Sequence, residues 1–313
     1  IRDVFHQRHM NLSTGNVGMG HVRYPTAGSS NLSEAQPFYV NSPFGICLAH
    51  NGNLTNYDQL AKSLMIEDRR HLNTKSDSEV ILNVFAHELQ KRLDGEITAK
   101  SIFGAIEAVH ERCSGGYAVI IMIIGFGIVA FRDPNGIRPL VLGKRKSETG
   151  EDYMVASESV ALDVTHFDID RDILPGEGLI IENNGKTQNK ICSQKNSYSP
   201  CIFEFVYFAR PDSILNEKTA YEHRKNLGQQ LAKENDTDAD LIVPVPDSGN
   251  AAALGFAQYL GKNFELGLVR NHYVGRTFIE PSQKIRSLGV KLKLNANRST
   301  IKNKKIILID DSL

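Results

Sequence analysis

The 313-residue chain carries no net charge, its 36 Lys and Arg balancing 36 Asp and Glu. A balanced chain has no global field drawing it to nucleic acid or to an anionic membrane surface, so neither is an expected partner and any anionic ligand must be captured locally. Cysteine is scarce. The four thiols, Cys47, Cys113, Cys192 and Cys201, are far apart and form no C-x-x-C pair, and no signal-sequence pattern is found. That excludes a disulfide framework and leads to reduced thiols in a cytoplasmic protein. Long apolar runs are missing too. The longest, residues 117–131, is interrupted by Gly125 and Gly127 and falls short of the roughly 20 apolar residues that span a bilayer. It predicts two buried strands, 117–124 and 128–131, around a glycine turn. Internal repeats and low-complexity tracts are also absent.

What is there suffices for two cores: 41% of residues are hydrophobic and 23% charged, ordinary for a globular protein of two domains. Up to about residue 187 short strands dominate. Helices are predicted from Asn56 to about Met65 behind a capping box, from Ser76 with one buried face through Leu89, and over 101–113. Strands at 119–124, 128–132, 140–142, 153–156 and 178–182 predict antiparallel sheets faced by helices. The polar segment 187–199 reads as a linker, giving domains 1–187 and 188–313. Helices at 219–235 and 250–260 then alternate with strands at 241–245, 266–269 and 305–309, the grammar of a parallel sheet. Residues 273–294 read as a long loop.

The last strand delivers Asp310-Asp311 to its carboxyl end, where ligands bind in open α/β sheets. The chain stops two residues later, where a binding loop is expected to begin, so it is expected to be a fragment. Pro246-Asp247-Ser248-Gly249-Asn250, between a strand and a helix, has the small residues of a pyrophosphate loop; a plain N-cap is the alternative. In the first domain, Arg23 suits a carboxylate. Asn51 beside Gly52 could form an oxyanion hole, and Asp77 could accept from an ammonium group. Together these would hold a zwitterionic amino acid at its side-chain amide. Singly, each has another reading: a surface arginine, a type I′ turn at Asn51-Gly52, and an Asp complementing a helix dipole. His21 and His50 read as structural histidines.

The segments GHVRYPTAGSS with EAQPF (20–38), AHNGNLTN (49–56), SDSE (76–79), FRDPNGIRPLVLG (131–143) and VASESVALD (155–163) together carry a resemblance. FEFVYFARPDS (203–213), VPVPDSG (243–249), YVGRTFIEP (273–281) and ILIDDS (307–312) continue it. Over essentially its whole length the chain resembles the amidophosphoribosyltransferases. That resemblance implies an α+β N-terminal-nucleophile hydrolase sandwich followed by an α/β type I phosphoribosyltransferase domain, both incomplete. It implies an enzyme of purine biosynthesis, a pentosyltransferase with glutamine amidotransferase activity. Glutamine-derived ammonia displaces pyrophosphate from phosphoribosyl pyrophosphate to give 5-phosphoribosylamine.

By resemblance, Arg23 takes the glutamine α-carboxylate, Asp77 the α-ammonium, and Asn51 and Gly52 the oxyanion. Ser248, Asp310 and Asp311 hold Mg²⁺, and Arg276 reaches the donor from its loop. Glutamine, phosphoribosyl pyrophosphate, feedback purine nucleotides and further copies of the chain are the implied partners. An iron–sulfur cluster is not expected, since Cys201 aligns with a ligand position but lacks partner ligands. The family's nucleophile is an N-terminal cysteine, whereas this chain starts with Ile1, and the fragment by itself is expected to be inactive. The alternative readings are an amidotransferase feeding a sugar isomerase and a non-catalytic remnant that binds nucleotides or scaffolds other enzymes.

Overall fold

The structure, a computed structural model, describes residues 6–22, 32–148, 150–235, 237–273 and 290–311. It divides into two compact units, Ile1–Pro200 and Cys201–Leu313. The division falls beyond the expected boundary at 187, because Thr187–Ile191 is a strand of the first unit and not part of a linker.

The first unit opens with helix α1 (Gln7–Leu12). Its main sheet contains β1 (Phe38–Val40), β2 (Ile46–Leu54), β3 (Gly115–Ile123), β4 (Gly127–Arg132), β8 (Glu177–Glu182) and β9 (Thr187–Ile191), paired antiparallel in that order. A second antiparallel sheet has the order β6 (Gly150–Ala156), β5 (Val141–Ser147), β7 (Asp168–Asp172). Side chains alternate across a strand, and β3, β4 and β8 are apolar on both faces. Val119, Ile121, Val129, Phe131 and Ile180 join the core that also contains the helices α2 (Tyr57–Ile66), α3 (Asp77–Gln90) and α4 (Ala99–Arg112). Ala118, Ala130 and Leu179 on the opposite face pack with Leu140, Leu142 and Ile173. The longest apolar run thus becomes the two central strands of a helix–sheet–sheet arrangement.

Two expectations about the helices are corrected. The side chain of Asn56 does not cap α2; it accepts from the Ser114 N–H at 3.0 Å and donates to the Arg112 carbonyl at 2.8 Å. Ser76 likewise makes no side-chain cap on α3. Nor is α3 buried on one face alone. Ser78 through Ala86, with Glu88 and Leu89, are all buried, and the polar members among them have partners. Glu79 accepts from the backbone and side chains of Asn73 and Thr74. Glu88 pairs with Arg92 and Arg112.

In the second unit, β12 (Leu241–Pro244) lies between β13 (Asn263–Phe264) and β16 (Ile306–Ile309), all parallel. Helix α6 (Ala220–Glu234) starts with a capping box of Thr219 and Glu222, and α7 (Asn250–Leu260) ends at Gly261 in the left-handed region, which glycine adopts without strain. Ala232, Phe256 and Ala257 of these helices bury Ile242 and Ile309 of the sheet. The strand predicted at 266–269 is β14 (Leu268–Arg270). It pairs antiparallel with β15 (Leu294–Ala296) and does not extend the parallel sheet. Among the described residues no helix is long and apolar enough to cross a membrane.

Candidate functional site

In the first unit the predicted glutamine-site residues converge on the end of β2. Asn51 and Gly52 lie within that strand and pair with Ala118 and Tyr117 of β3, so Asn-Gly is not a hairpin turn here. Burial along β2 changes from a fully buried His50 to an exposed Gly52 and Asn53. Burial is thus interrupted over residues 51–53 before Leu54 returns to the core. Asp77, the first residue of α3, accepts from the Leu54 N–H at 3.2 Å and lies 3.7 Å from His50 Nδ1. Arg23 lies outside the described residues.

The motif FRDPNGIRPL has a structural purpose that its sequence did not disclose. Asp133, fully buried, accepts four backbone N–H groups: Asn135 and Ile137 at 3.0 Å, Arg138 at 3.1 Å and Tyr117 at 3.2 Å. Arg132, buried as well, donates to the carbonyls of Gly136, Arg138 and Ile173. This folded turn carries Arg138 to Asn51, where Nη2 donates to Oδ1 at 3.1 Å. Arg138 was not among the candidate residues read from the sequence; its only signal there is a second arginine in FRDPNGIRPL.

Burial pushes His50 down to about 4, with Asp77 opposing and His21 and Arg138 adding to the fall. His50 is thus neutral near pH 7, its Nδ1 3.1 Å from Ser78 Oγ. Burial also pushes His110 down to about 4, against an opposing hydrogen bond with the Gly176 backbone. Both folded-state values lie below the unfolded 6.5. The unfolded chain therefore takes up protons from pH 6.5 downwards while the folded unit resists until about 4. Stability from these groups is complete above 6.5 and is lost as pH falls through that window, by roughly 3 kcal/mol per histidine. Urea denaturation of the first unit should show the loss beginning near pH 6.5, before ordinary carboxylates titrate. A profile flat between pH 7 and 5 would contradict it.

Cys47, Cys113 and Cys192 are not suited to nucleophilic work, since partial burial raises Cys47 and burial pushes Cys113 and Cys192 up to about 12. A cavity of about 560 Å³ in this unit, lined by His110, Cys113, Cys192 and Lys195 among others, includes none of the predicted site residues.

In the second unit, the turn between β12 and α7 meets the end of β16. A Cβ on Gly249 would come 2.5 Å from the Ile309 carbonyl oxygen and 2.8 Å from that of Val245, so only glycine permits this approach. The approach brings Ser248 Oγ to donate to Asp311 Oδ1 at 3.1 Å. Asp310 is pushed up to about 6, first by burial and then by its neighbour Asp311. Arg270, at the end of β14, forms an ion pair with Asp247; Arg270 was not singled out from the sequence, and Asp247 only as a member of the 246–250 turn. Arg276 lies outside the described residues. Among the described residues no cluster of three or more His, Cys, Asp or Glu could hold a metal; of the three expected Mg²⁺ ligands, Ser248 and Asp311 are in contact.

Over its whole length the chain is 54% identical to an amidophosphoribosyltransferase of Pseudomonas aeruginosa, 53% to one of Escherichia coli and 47% to one of Saccharomyces cerevisiae. Over its whole length the chain is thus similar to the amidophosphoribosyltransferases. It spans 64%, 63% and 63% of the lengths of those three relatives. A family model described as a glutamine amidotransferase domain matches residues 26–164. Among solved structures, glutamine phosphoribosylpyrophosphate amidotransferase from B. subtilis, complexed with ADP and GMP, has a TM-score of 0.78 at 37% identity, covering 94% of this chain and 60% of that one. Another, described as the allosteric regulatory enzyme of purine biosynthesis, has a TM-score of 0.77 at 38% identity, covering 92% and 59%. The fold is thus that of an amidophosphoribosyltransferase: an α+β amidotransferase sandwich of the N-terminal-nucleophile type, then an α/β phosphoribosyltransferase unit.

Proposed function

We propose that the chain provides the glutamine site and the ribosyl-donor site of a cytoplasmic amidophosphoribosyltransferase of purine biosynthesis. The observation that carries this reading is 54% identity, over the whole of the chain, to a relative of that name. At the first site Asp77 and Arg23 would bind the two charged ends of glutamine. Asn51 and Gly52 would donate to the oxyanion as the side-chain amide is attacked, where fixed donors in a partly dry site act most strongly. The ammonia released then displaces pyrophosphate from C1 of phosphoribosyl pyrophosphate. An amine needs no activating base, so the second site works by positioning the donor and stabilising its leaving group. Arg276 would serve there, and purine nucleotides would bind as regulators of a homo-oligomer.

The residues at the second site fit Mg²⁺. The cation prefers hard oxygen ligands; Ser248 and the Asp310–Asp311 pair would supply them, and the repulsion between the two carboxylates, which adds to burial in raising Asp310, is one that a dication would relieve. Bound there, Mg²⁺ would neutralise charge on the departing pyrophosphate.

Calorimetric titration of the chain with glutamine, and separately with phosphoribosyl pyrophosphate and Mg²⁺, tests the reading. Asp310→Asn should weaken Mg²⁺-dependent donor binding about 100-fold, roughly 3 kcal/mol for a charged ligand lost, while sparing glutamine. Equal donor affinity in the variant would remove Asp310 from the site. No binding of either ligand at millimolar concentration would refute the proposal as a whole.

A further inference from the structure

We infer that Arg138 is a positioning residue of the glutamine site, which fixes the Asn51 carboxamide with Nδ2 free to donate to the oxyanion. The inference rests on the glutaminase reading above. A carboxamide has an accepting end and a donating end, and an oxyanion hole works only with the donating end presented. A guanidinium can only donate. Whichever end of Asn51 faces Arg138 Nη2, 3.1 Å away, must therefore be Oδ1, and Nδ2 is directed elsewhere. With Arg138 absent, the carboxamide could flip and present a lone pair to a developing negative charge.

The surrounding structure fixes this contact from three directions. The turn that carries Arg138 is tied by the four N–H bonds to Asp133 and by the Arg132 guanidinium on the Gly136 and Arg138 carbonyls. The turn also lies close over β3 at a residue with no side chain. A Cβ on Gly116 would come 2.7 Å from Ile137 Cγ2. Gly116 pairs with Asn53 of β2, two residues beyond Asn51, so the missing side chain lies beside the strand that Arg138 must reach. Third, Arg138 adds to the fall in the His50 pKa, which places the cation near the residue that precedes Asn51 on β2.

The test uses the whole chain with isotope-labelled asparagine and follows the Asn51 side-chain amide by nuclear magnetic resonance. In Arg138→Ala the two Asn51 amide protons should move toward free-amide positions and exchange with water about tenfold faster. Backbone signals of 132–137 should stay in place, and the Kd for glutamine should rise about tenfold. Arg138→Lys keeps the charge but loses the planar fork and should give an intermediate shift. An unmoved Asn51 pair overturns the inference, as does a moved pair with an unchanged glutamine Kd. Changes confined to the backbone of 132–137 would reveal a structural role only and also overturn it. If Arg138→Ala does not fold, the Lys variant decides on the same signals. Absence of any glutamine-induced shift in the unaltered chain would instead refute the glutaminase reading, a result distinguishable because the Asn51 signals report on Arg138 without ligand.

Discussion

Alanine at Gly228 should destabilise the second unit by about 3 kcal/mol or more, above the usual range for overpacking. Gly228 lies inside α6, where intrinsic propensity alone would make alanine better by about 1 kcal/mol. Packing reverses the sign. A Cβ there would come 1.9 Å from the Ala252 carbonyl oxygen of α7, and the reciprocal position, Gly255 of α7, has Lys225 O at 2.0 Å. The obstacle on each side is helix backbone, which cannot rotate out of the way as a flexible side chain can, so the two helices must separate. Because α7 begins directly after the Ser248-Gly249 turn, their separation would also displace Ser248 from Asp311. The measurement is urea denaturation of Gly228→Ala alongside donor binding. A variant about 1 kcal/mol more stable than the parent, as propensity predicts, would show that the helices do not approach this closely.

Asp133→Ala is the second change of large effect, with an expected loss of about 4 kcal/mol in the first unit. Four backbone N–H groups lose their acceptor in a fully buried place, and each unsatisfied buried donor costs about 1–3 kcal/mol. Some of these will find water once the turn loosens, which is why the estimate lies at the low end of the summed cost of about 4–12 kcal/mol. Asp133→Asn keeps one accepting oxygen and should lose less. The functional consequence follows from the same bonds, since a loosened turn lets Arg138 leave Asn51. Glutamine affinity should therefore fall with stability in Asp133→Ala, and a denaturation midpoint within 1 kcal/mol of the parent would disprove the role given to the carboxylate.

Much of the first unit could be read from the chain because its signals are local. The run 117–131 is apolar on both strand faces and broken by glycines, and it became β3 and β4 with a turn at Gly125. The helices at 77–90 and 99–112 carry clear periodicity. The same local reasoning placed a linker where β9 pairs with β8, because a polar edge strand has the composition of a loop until its partner is known. It also gave α3 one buried face. Glu79 and Glu88 look like solvent-facing positions in sequence, and only their partners in other segments make their burial tolerable.

The candidate sites divide in the same way. Asn51, Gly52, Asp77, Ser248, Asp310 and Asp311 were each identifiable from residue type and motif, because the chemistry of a carboxylate, a hydroxyl or a carboxamide is fixed by its atoms. By itself the sequence thus determined the order of the two units, the resemblance to the amidophosphoribosyltransferases and the side-chain chemistry available at each candidate site. The tertiary structure decided which reagents meet and in what orientation. Arg138 reaches Asn51 across 87 residues of chain, and Ser248 reaches Asp311 across 63. Both contacts depend on glycines that let backbone or turn pass within a Cβ radius. Such approaches leave no periodic trace in a sequence, because a glycine required by a neighbour distant in the chain looks the same as one required by its own turn.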